Sequence, residues 1–395
     1  MSEVIIVGGG PVGCCLAFLL AQRGVEALLV EQEAGVSREL RASTFHPPTL
    51  DMLAPFGITD TLIARGEICA DWQVRLHPSG ERAVFDLGVL ADETGHPYRL
   101  QCEQWKLTEA LCERLSGAVE VMSGARFVGL RQFASEVEVD IERAGQRERL
   151  RGRYVVGCDG ARSAVRSATG LAFEGETYPE TTILATTSFP FADHLTGLSN
   201  VSYCWLEDGG NFTLLKAPGR WRVSIYPRED QPIEQQLEPL AIEAALQAIV
   251  AQPREYAVSE VRPYRVHMRI APRYVVGRVA LAGDAAHVNS PAGGMGLNGG
   301  IHDAFELAAA LAAVLRDGAD PGRLALYDRR RRPIAREAIL LQADRNRARM
   351  RERDPARRRE LLADLQATAA DPARCKAHLR RTSMIDGLRK AALID

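Results

Sequence analysis

Several things are missing from this chain, and each absence narrows what it can be. No apolar stretch approaches the roughly 20 residues of a membrane span; the longest, Leu307–Leu315, is far shorter. An excess of one charge is also missing. The 49 basic residues stand against 51 acidic ones, and the net charge of −2 offers no global attraction to nucleic acid or to an anionic membrane. The eight cysteines (Cys14, Cys15, Cys69, Cys102, Cys112, Cys158, Cys204 and Cys375) form no CxxC pair, and no Cys/His cluster has zinc spacing, so no metal is expected. They read as buried or incidental thiols of a reducing cytosol. No internal repeat or low-complexity linker interrupts the chain. A strand-like run, Val4–Val7, begins almost at Met1 and leaves no room for a signal peptide. A cytoplasmic globular protein is therefore expected.

What is present is organised around glycine. Glu3–Val7 is a short apolar run ending in glycines, then a helix through Arg23, a stop at Gly24 and a second strand, Val25–Val30. This is one βαβ unit of a parallel sheet. Pro47-Pro48 opens a helix that Gly57 ends, and Leu107–Leu115 has helical spacing. Gln73–Phe85 alternates around Pro78-Ser79-Gly80, which predicts a hairpin. Thr181–Pro227 is rich in β-branched and aromatic residues and predicts an antiparallel sheet. After Val275–Leu281 the strand-then-glycine pattern returns, followed by a helix from about Gly299 to Leu315.

Three separated motifs suit one ligand. In the first, Gly8, Gly10 and Gly13 match GxGxxG between a strand and a helix, with Pro11 and Val12 inside the turn. Such a turn brings backbone N–H groups and a helix amino terminus to a pyrophosphate. Glu31, followed by Gln32, ends the second strand at the distance expected of a ribose ligand. In the second, Asp159-Gly160 follows the strand Tyr154–Val156, with Arg162, Ser163 and Arg166 opening the next helix. A capping aspartate explains this turn as well as a cofactor contact does. In the third, Asp284 follows a strand, and Pro291, Gly293, Gly294, Gly296, Leu297 and Asn298 lead into a helix. An acid there can bind a ribityl hydroxyl, and the loop can lay N–H groups along the pyrimidine edge of a flavin. Together the motifs describe a protein wrapped around FAD.

On these residues the chain resembles the group A flavoprotein aromatic hydroxylases, of the p-hydroxybenzoate hydroxylase fold, over roughly residues 3–333. The resemblance assigns Arg41 in Arg38-Glu39-Leu40-Arg41-Ala42 and Gln104 in Gln104-Trp105-Lys106-Leu107 to the cofactor. It matches Gly157–Ser163 to the family's DG motif and Gly283–His287 to its GD motif. Met295, Leu297 and Cys158 depart from the residues common in the family, and no long carboxy-terminal thioredoxin-like domain is present. The implied fold is α/β: a Rossmann-type FAD-binding domain (1–72, 98–178 and 268–330) interrupted by an antiparallel-sheet substrate domain (73–97 and 179–267), with a C-terminal helical segment (331–395). That segment is basic from Arg329–Arg332 onward. With no aromatic residues interleaved, the run reads as a solvated helix face rather than an RNA site.

The resemblance implies a cycle. NAD(P)H reduces FAD, O2 adds at the flavin C4a position, and the hydroperoxide passes oxygen to an electron-rich ring. A small phenolic or heteroaromatic substrate follows from the family and from no motif. Pro291 is expected at the flavin–substrate contact. His46, Tyr226 and Arg222 are the candidates for substrate binding or proton relay, with His287 orienting its loop. Alternation places Arg222, Ser224 and Tyr226 on one strand face and Trp221, Val223 and Ile225 on the other. The alternatives are a halogenase, epoxidase or reductase on the same fold, or a non-catalytic flavin redox sensor. Trp221-Arg222-Val223-Ser224-Ile225 lacks the second tryptophan of the halogenase signature. Nothing in the sequence chooses between NADH and NADPH, and a homodimer is carried as one option for assembly.

Overall fold

The computed structural model describes residues 2–39, 41–228 and 231–395, the side chain of Glu180 excepted. Leu40, inside the arginine motif, lies outside the described residues. In chain order the elements that position the site are β1 (Ser2–Val7), α1 (Pro11–Ala21), β2 (Ala27–Glu31), α2 (Pro47–Leu53), β3 (Asp71–His77), β4 (Arg82–Asp86), α3 (Gln104–Leu115) and β5 (Glu120–Ser123). The strands β6 (Ala125–Gln132), β7 (Val137–Arg143), β8 (Gln146–Gly157), β9 (Glu174–Thr187), β10 (Val201–Leu206), β11 (Asn211–Ala217), β12 (Arg220–Ile225), β13 (Val258–Ile270) and β14 (Val279–Leu281) follow. The chain then becomes helical: α4 (Met295–Leu315), α5 (Arg323–Ile334), α6 (Leu341–Met350), α7 (Pro355–Ala370), α8 (Pro372–Thr382) and α9 (Ile385–Ala392).

Strands β14, β8, β1, β2 and β5 lie side by side in that order, all parallel, with β7 and β6 added as an antiparallel meander on β8. Val4–Val7 is buried throughout, as a parallel strand covered on both faces must be. Helix α1 is apolar around its circumference and buried from Gly13 to Leu20. It packs against α4. That helix starts at Met295, four residues earlier than the expected Gly299, because Gly294 takes a left-handed φ of +67° and caps it.

The second sheet runs β13-β9-β12-β11-β10-β3-β4. It is antiparallel with one correction to the expectation: the β3–β4 hairpin joins through a parallel pair, Ser202 opposite Gln73. The hairpin comes from a distant part of the chain, so no tight turn constrains its direction. Alternation divides the sheet as expected. Ile183, Trp221 and Val223 bury against the Pro239–Gln247 helix on one face. Trp72, Phe85 and Trp205 bury against Leu362, Leu365 and Leu379 of α7 and α8 on another.

The C-terminal helices are thus part of the core, and the solvated face expected of the basic run needs correcting at two arginines. Arg331 and Arg358 are fully buried. Arg358 donates to the carbonyls of Leu206, Gly209 and Gly210, pinning α7 to the β10–β11 turn. Helical periodicity puts one residue in three or four on the inner face, so a run of four arginines cannot stay wholly outside.

Candidate active site

The β1–α1 turn shows why each glycine is there. Gly8 has a φ of +106°, and a Cβ on it would sit 2.5 Å from the Cys158 carbonyl oxygen. A Cβ on Gly13 would lie 1.9 Å from the Gly8 carbonyl oxygen. Gly10 differs: its backbone is extended, with φ −72°, and a Cβ there would meet nothing within 4 Å. Gly10 is also the N-cap of α1, which no side chain caps. The turn is tight beneath and open above, with helix N–H groups facing the open side, and so fits a diphosphate.

Glu31 ends β2 with both carboxylate oxygens engaged. Gly9 N donates to Oε2 at 2.5 Å and Glu33 N to Oε1 at 2.8 Å. Gln32 is exposed beside it. Arg41 is exposed and pairs with Glu39, which also holds Arg262. The charge of Arg41 acts on Asp284, so the arginine motif and the GD motif share one region. Gln104 is the first residue of α3, its backbone N–H bonded to Ala42 O at 3.0 Å. Asp284 is solvent-accessible yet walled by protein, and burial raises its carboxyl pKa while His287 and Arg41 oppose the rise.

At the DG motif, the Asp159 carboxylate serves its own turn. It accepts from Ser163 Oγ at 2.5 Å and Val165 N at 3.1 Å, and Ser163 in turn caps the Ala164–Ala168 helix. The link to the cofactor region runs through Arg166, which donates to Ala285 O and Ala161 O, both at 2.8 Å. The second and third motifs, far apart in sequence, are therefore joined by a direct bond.

The glycine loop is held from beneath. Gly293 (φ +101°) and Gly294 (φ +67°) both take left-handed conformations, and a Cβ on Gly294 would strike Thr44 at 2.6 Å. Asn298 is fully buried, and its amide is spent on the backbone, donating to Thr44 O at 2.8 Å and Gly294 O at 2.7 Å while accepting from His46 N at 2.8 Å. His46 is also fully buried and donates from Nε2 to Gly293 O at 2.8 Å. Burial first, and the Arg99 charge second, lower its pKa to about 3, so the ring stays neutral. His46 addresses the loop backbone, not a reactant. Gly296 and Leu297 follow in the first turn of α4.

Behind the GD motif lies a buried cluster that the sequence did not reveal. Asp303 accepts from Gly283 N at 3.1 Å, His287 Nε2 at 2.8 Å and Arg331 Nε at 2.7 Å. Burial pushes its carboxyl upward, but Arg331, His287 and the hydrogen bonds outweigh that and hold it at about 2. His287 orients its loop as expected. The only available signal was the spacing of Asp303 and Arg331 on the inner faces of two helices.

A cavity of about 600 Å³ opens on the other side of the loop. Ser290, Pro291 and Ala292 form one wall, Tyr203 and Tyr226 of the sheet another, and α6 with its C-terminal continuation a third. Arg222 does not line it. Its guanidinium is buried and donates to Ser43 Oγ at 2.8 Å. The contribution of α6, including Arg347 and Arg349, was missed because that segment carries no motif.

Comparisons with known proteins agree with this geometry. Residues 1–341 match the FAD binding domain family. The chain is 34% identical to the para-nitrophenol 4-monooxygenase of Pseudomonas sp. (strain WBC-3), across 98% of this chain and 97% of that protein. It is 33% identical to the 6-hydroxy-3-succinoylpyridine 3-monooxygenase of Pseudomonas putida (strain DSM 28022 / S16), across 84% and 85%. Its fold superposes on the crystal structure of p-nitrophenol 4-monooxygenase from Pseudomonas putida DLL-E4 with a TM-score of 0.89 at 32% identity, covering 97% of this chain and 98% of that one. A glycine turn open to a diphosphate, a glycine loop at a helix amino terminus and a cavity across that loop are what a flavin and an aromatic substrate need, and the chain belongs to the FAD-dependent aromatic monooxygenases.

Proposed function

We propose that this enzyme hydroxylates a small phenol of the nitrophenol type in the cavity between the second sheet and α6, with NAD(P)H as reductant and O2 as co-substrate. One observation carries the reading: Pro291 lines the cavity two residues before the glycines that open α4. A ring held there lies against the loop assigned to the flavin. The likeness to a para-nitrophenol 4-monooxygenase over nearly the whole of both chains supports a phenol.

Bound FAD supplies the chemistry that activates O2 at the expense of NAD(P)H. In this reading Gly8, Gly10, Pro11, Val12 and Gly13 hold the diphosphate and Glu31 the ribose, with Gln32, Arg41 and Gln104 beside them. Asp284, Gly294, Gly296 and Leu297 receive the flavin end. Asp159, Asn298 and His46 position those backbones. Pro291 presses on the ring and Tyr226 donates to a substrate oxygen. Burial holds the Tyr226 phenol well above its usual range, so near neutral pH it is a donor and not a base. Arg222 positions Ser43. Walls on three sides exclude water, which favours transfer to the ring over decay to H2O2. Cytoplasmic location and a homodimeric assembly belong to the same proposal; light scattering of the holoenzyme tests the dimer.

The deciding experiment follows NAD(P)H consumption, product and H2O2 across a panel of phenols and aromatic acids. The expected result is phenol-stimulated oxidation of NAD(P)H matched by hydroxylated product. Stimulation that yields only H2O2 from every phenol, or a strict need for a separate flavin reductase, overturns the reading.

A further inference from the structure

Two of the eight thiols stand in contact, and they do so at the first glycine motif. Cys14 of α1 and Cys112 of α3 bring their sulfur atoms to 3.7 Å, and no other two cysteines lie within bonding distance among the described residues. The helices that carry them pack against one another. Cys14 is fully buried and Cys112 partly exposed, so the pair has an inner and an outer member. Cys14 is also tied to the turn. Its thiol donates to the Gly9 carbonyl oxygen at 3.1 Å, and its backbone N–H donates to the Gly10 carbonyl oxygen at 2.9 Å. Gly9 N in turn donates to Glu31.

The two thiols are unlike. The hydrogen bond between them lowers the Cys112 pKa from the usual thiol value, outweighing burial and the charges of Glu109, Glu113 and Glu31. That bond and burial raise Cys14 well above it. An outer thiol that ionises beside an inner one that stays protonated is the arrangement in which oxidation of the first is resolved by the second. We propose that Cys14 and Cys112 form an oxidation site, which hydrogen peroxide converts to a disulfide that loosens the diphosphate turn. The Cys112 thiolate attacks one peroxide oxygen; an S–O bond forms, the O–O bond breaks and hydroxide leaves. The Cys14 sulfur then attacks the Cys112 sulfur; the S–S bond forms, the S–O bond breaks, and the oxygen departs as water with the Cys14 proton. The thiols lose two electrons and peroxide is reduced to water. Peroxide from any source suffices, so the proposal is independent of the hydroxylase reading. A disulfide bond of about 2.05 Å draws the sulfurs together by about 1.7 Å. Cys14 then has no proton to donate to Gly9. Its neighbour Gly13 has no slack against Gly8. The movement therefore falls on the turn that faces the diphosphate and holds Glu31.

The test exposes holoenzyme, without NAD(P)H, to hydrogen peroxide. It reads disulfide linkage by mass spectrometry after free thiols are blocked, and bound FAD by the fluorescence of what is released. The expected product links Cys112 to Cys14 and leaves Cys15 free, since burial raises that thiol to about 12. FAD should bind about 10-fold or more weakly, within the usual range of coupling between two sites. Dithiothreitol should restore both readings, and by reciprocity excess FAD should oppose closure of the disulfide. Cys112→Ser should keep its FAD under the same peroxide. If that variant fails to fold, Cys112→Ala takes its place, and wild type with and without dithiothreitol still decides. Linkage through Cys15, unlinked thiols, oxidation of Cys112 to the sulfinic acid without linkage, or a disulfide that leaves FAD affinity unchanged overturns the proposal. Equal loss of FAD from the Cys112 variant does the same.

Discussion

The cradle at the head of β1 and the wall supplied by α6 serve neighbouring parts of one site by opposite means. In the cradle, backbone meets backbone. Gly8, Gly13 and Gly294 sit where any Cβ would strike a carbonyl or a neighbouring side chain, and the carboxylates and amides nearby are spent on holding the turns. In the wall, long side chains reach inward from a helix, Asn346, Arg347, Arg349 and Met350 among them. The cradle is set by how closely backbone fits backbone, and the wall by which side chains one helix carries. A cofactor common to a family calls for the first kind of construction, and a substrate that changes from member to member calls for the second.

Substitutions can break that contrast. The largest effect is expected from Gly13→Ala, whose methyl has no room beside the Gly8 carbonyl; expression should yield no folded holoprotein, read from FAD absorbance and a missing thermal transition. Next is Asp303→Asn, which leaves Arg331 buried without its counter-charge. Unfolding in denaturant should show a loss of about 3–5 kcal/mol. The pH dependence gives that prediction a sign. Asp303 titrates at about 2 when folded and near 4 when unfolded. Its stabilisation is therefore present above about pH 4 and lost as pH falls toward 2. The variant should lack that acid-range loss.

Arg358→Ala acts on the wall. It frees the β10–β11 turn, which lines the cavity, and should cost about 1–3 kcal/mol through the abandoned carbonyls. KM for the phenol should rise while the Kd for FAD stays put. A parallel loss of FAD would show that cradle and wall are mechanically one unit. The smallest stability effect belongs to Gly10→Ala, within about 0.5 kcal/mol of wild type, because its methyl points into open space. FAD should nonetheless bind about 10-fold or more weakly, since that space is where the diphosphate belongs. Unchanged FAD affinity would remove Gly10 from the site.

What could be read from sequence divides along the same line. The β1–α1 turn, the α4 loop and the alternation of β12 were legible because glycine spacing and period-two patterning state backbone geometry directly. Asp303 and Arg331 were not. A buried ion pair between two helices has the same local pattern as two solvated charges, and Arg331 sat inside a run of arginines. Asn298 stood out as a residue of the glycine loop and His46 as one preceding the Pro47-Pro48 helix, but only coordinates reveal that both bond the backbone of that loop. The role of α6 was invisible for a different reason. Which helix closes a cavity depends on long-range docking, here through Arg358 and the apolar faces of α7 and α8.

The staple made by Arg358 also bears on the order of events during synthesis. The parallel sheet awaits β14, the Asp303 cluster awaits Arg331, and the third wall of the cavity awaits residues 346–358. Domains tend to form from the amino terminus as the chain emerges, and contacts of long sequence separation form late. Every residue of the cofactor cradle, Arg331 included, is therefore translated before Asn346, the first residue of the third wall.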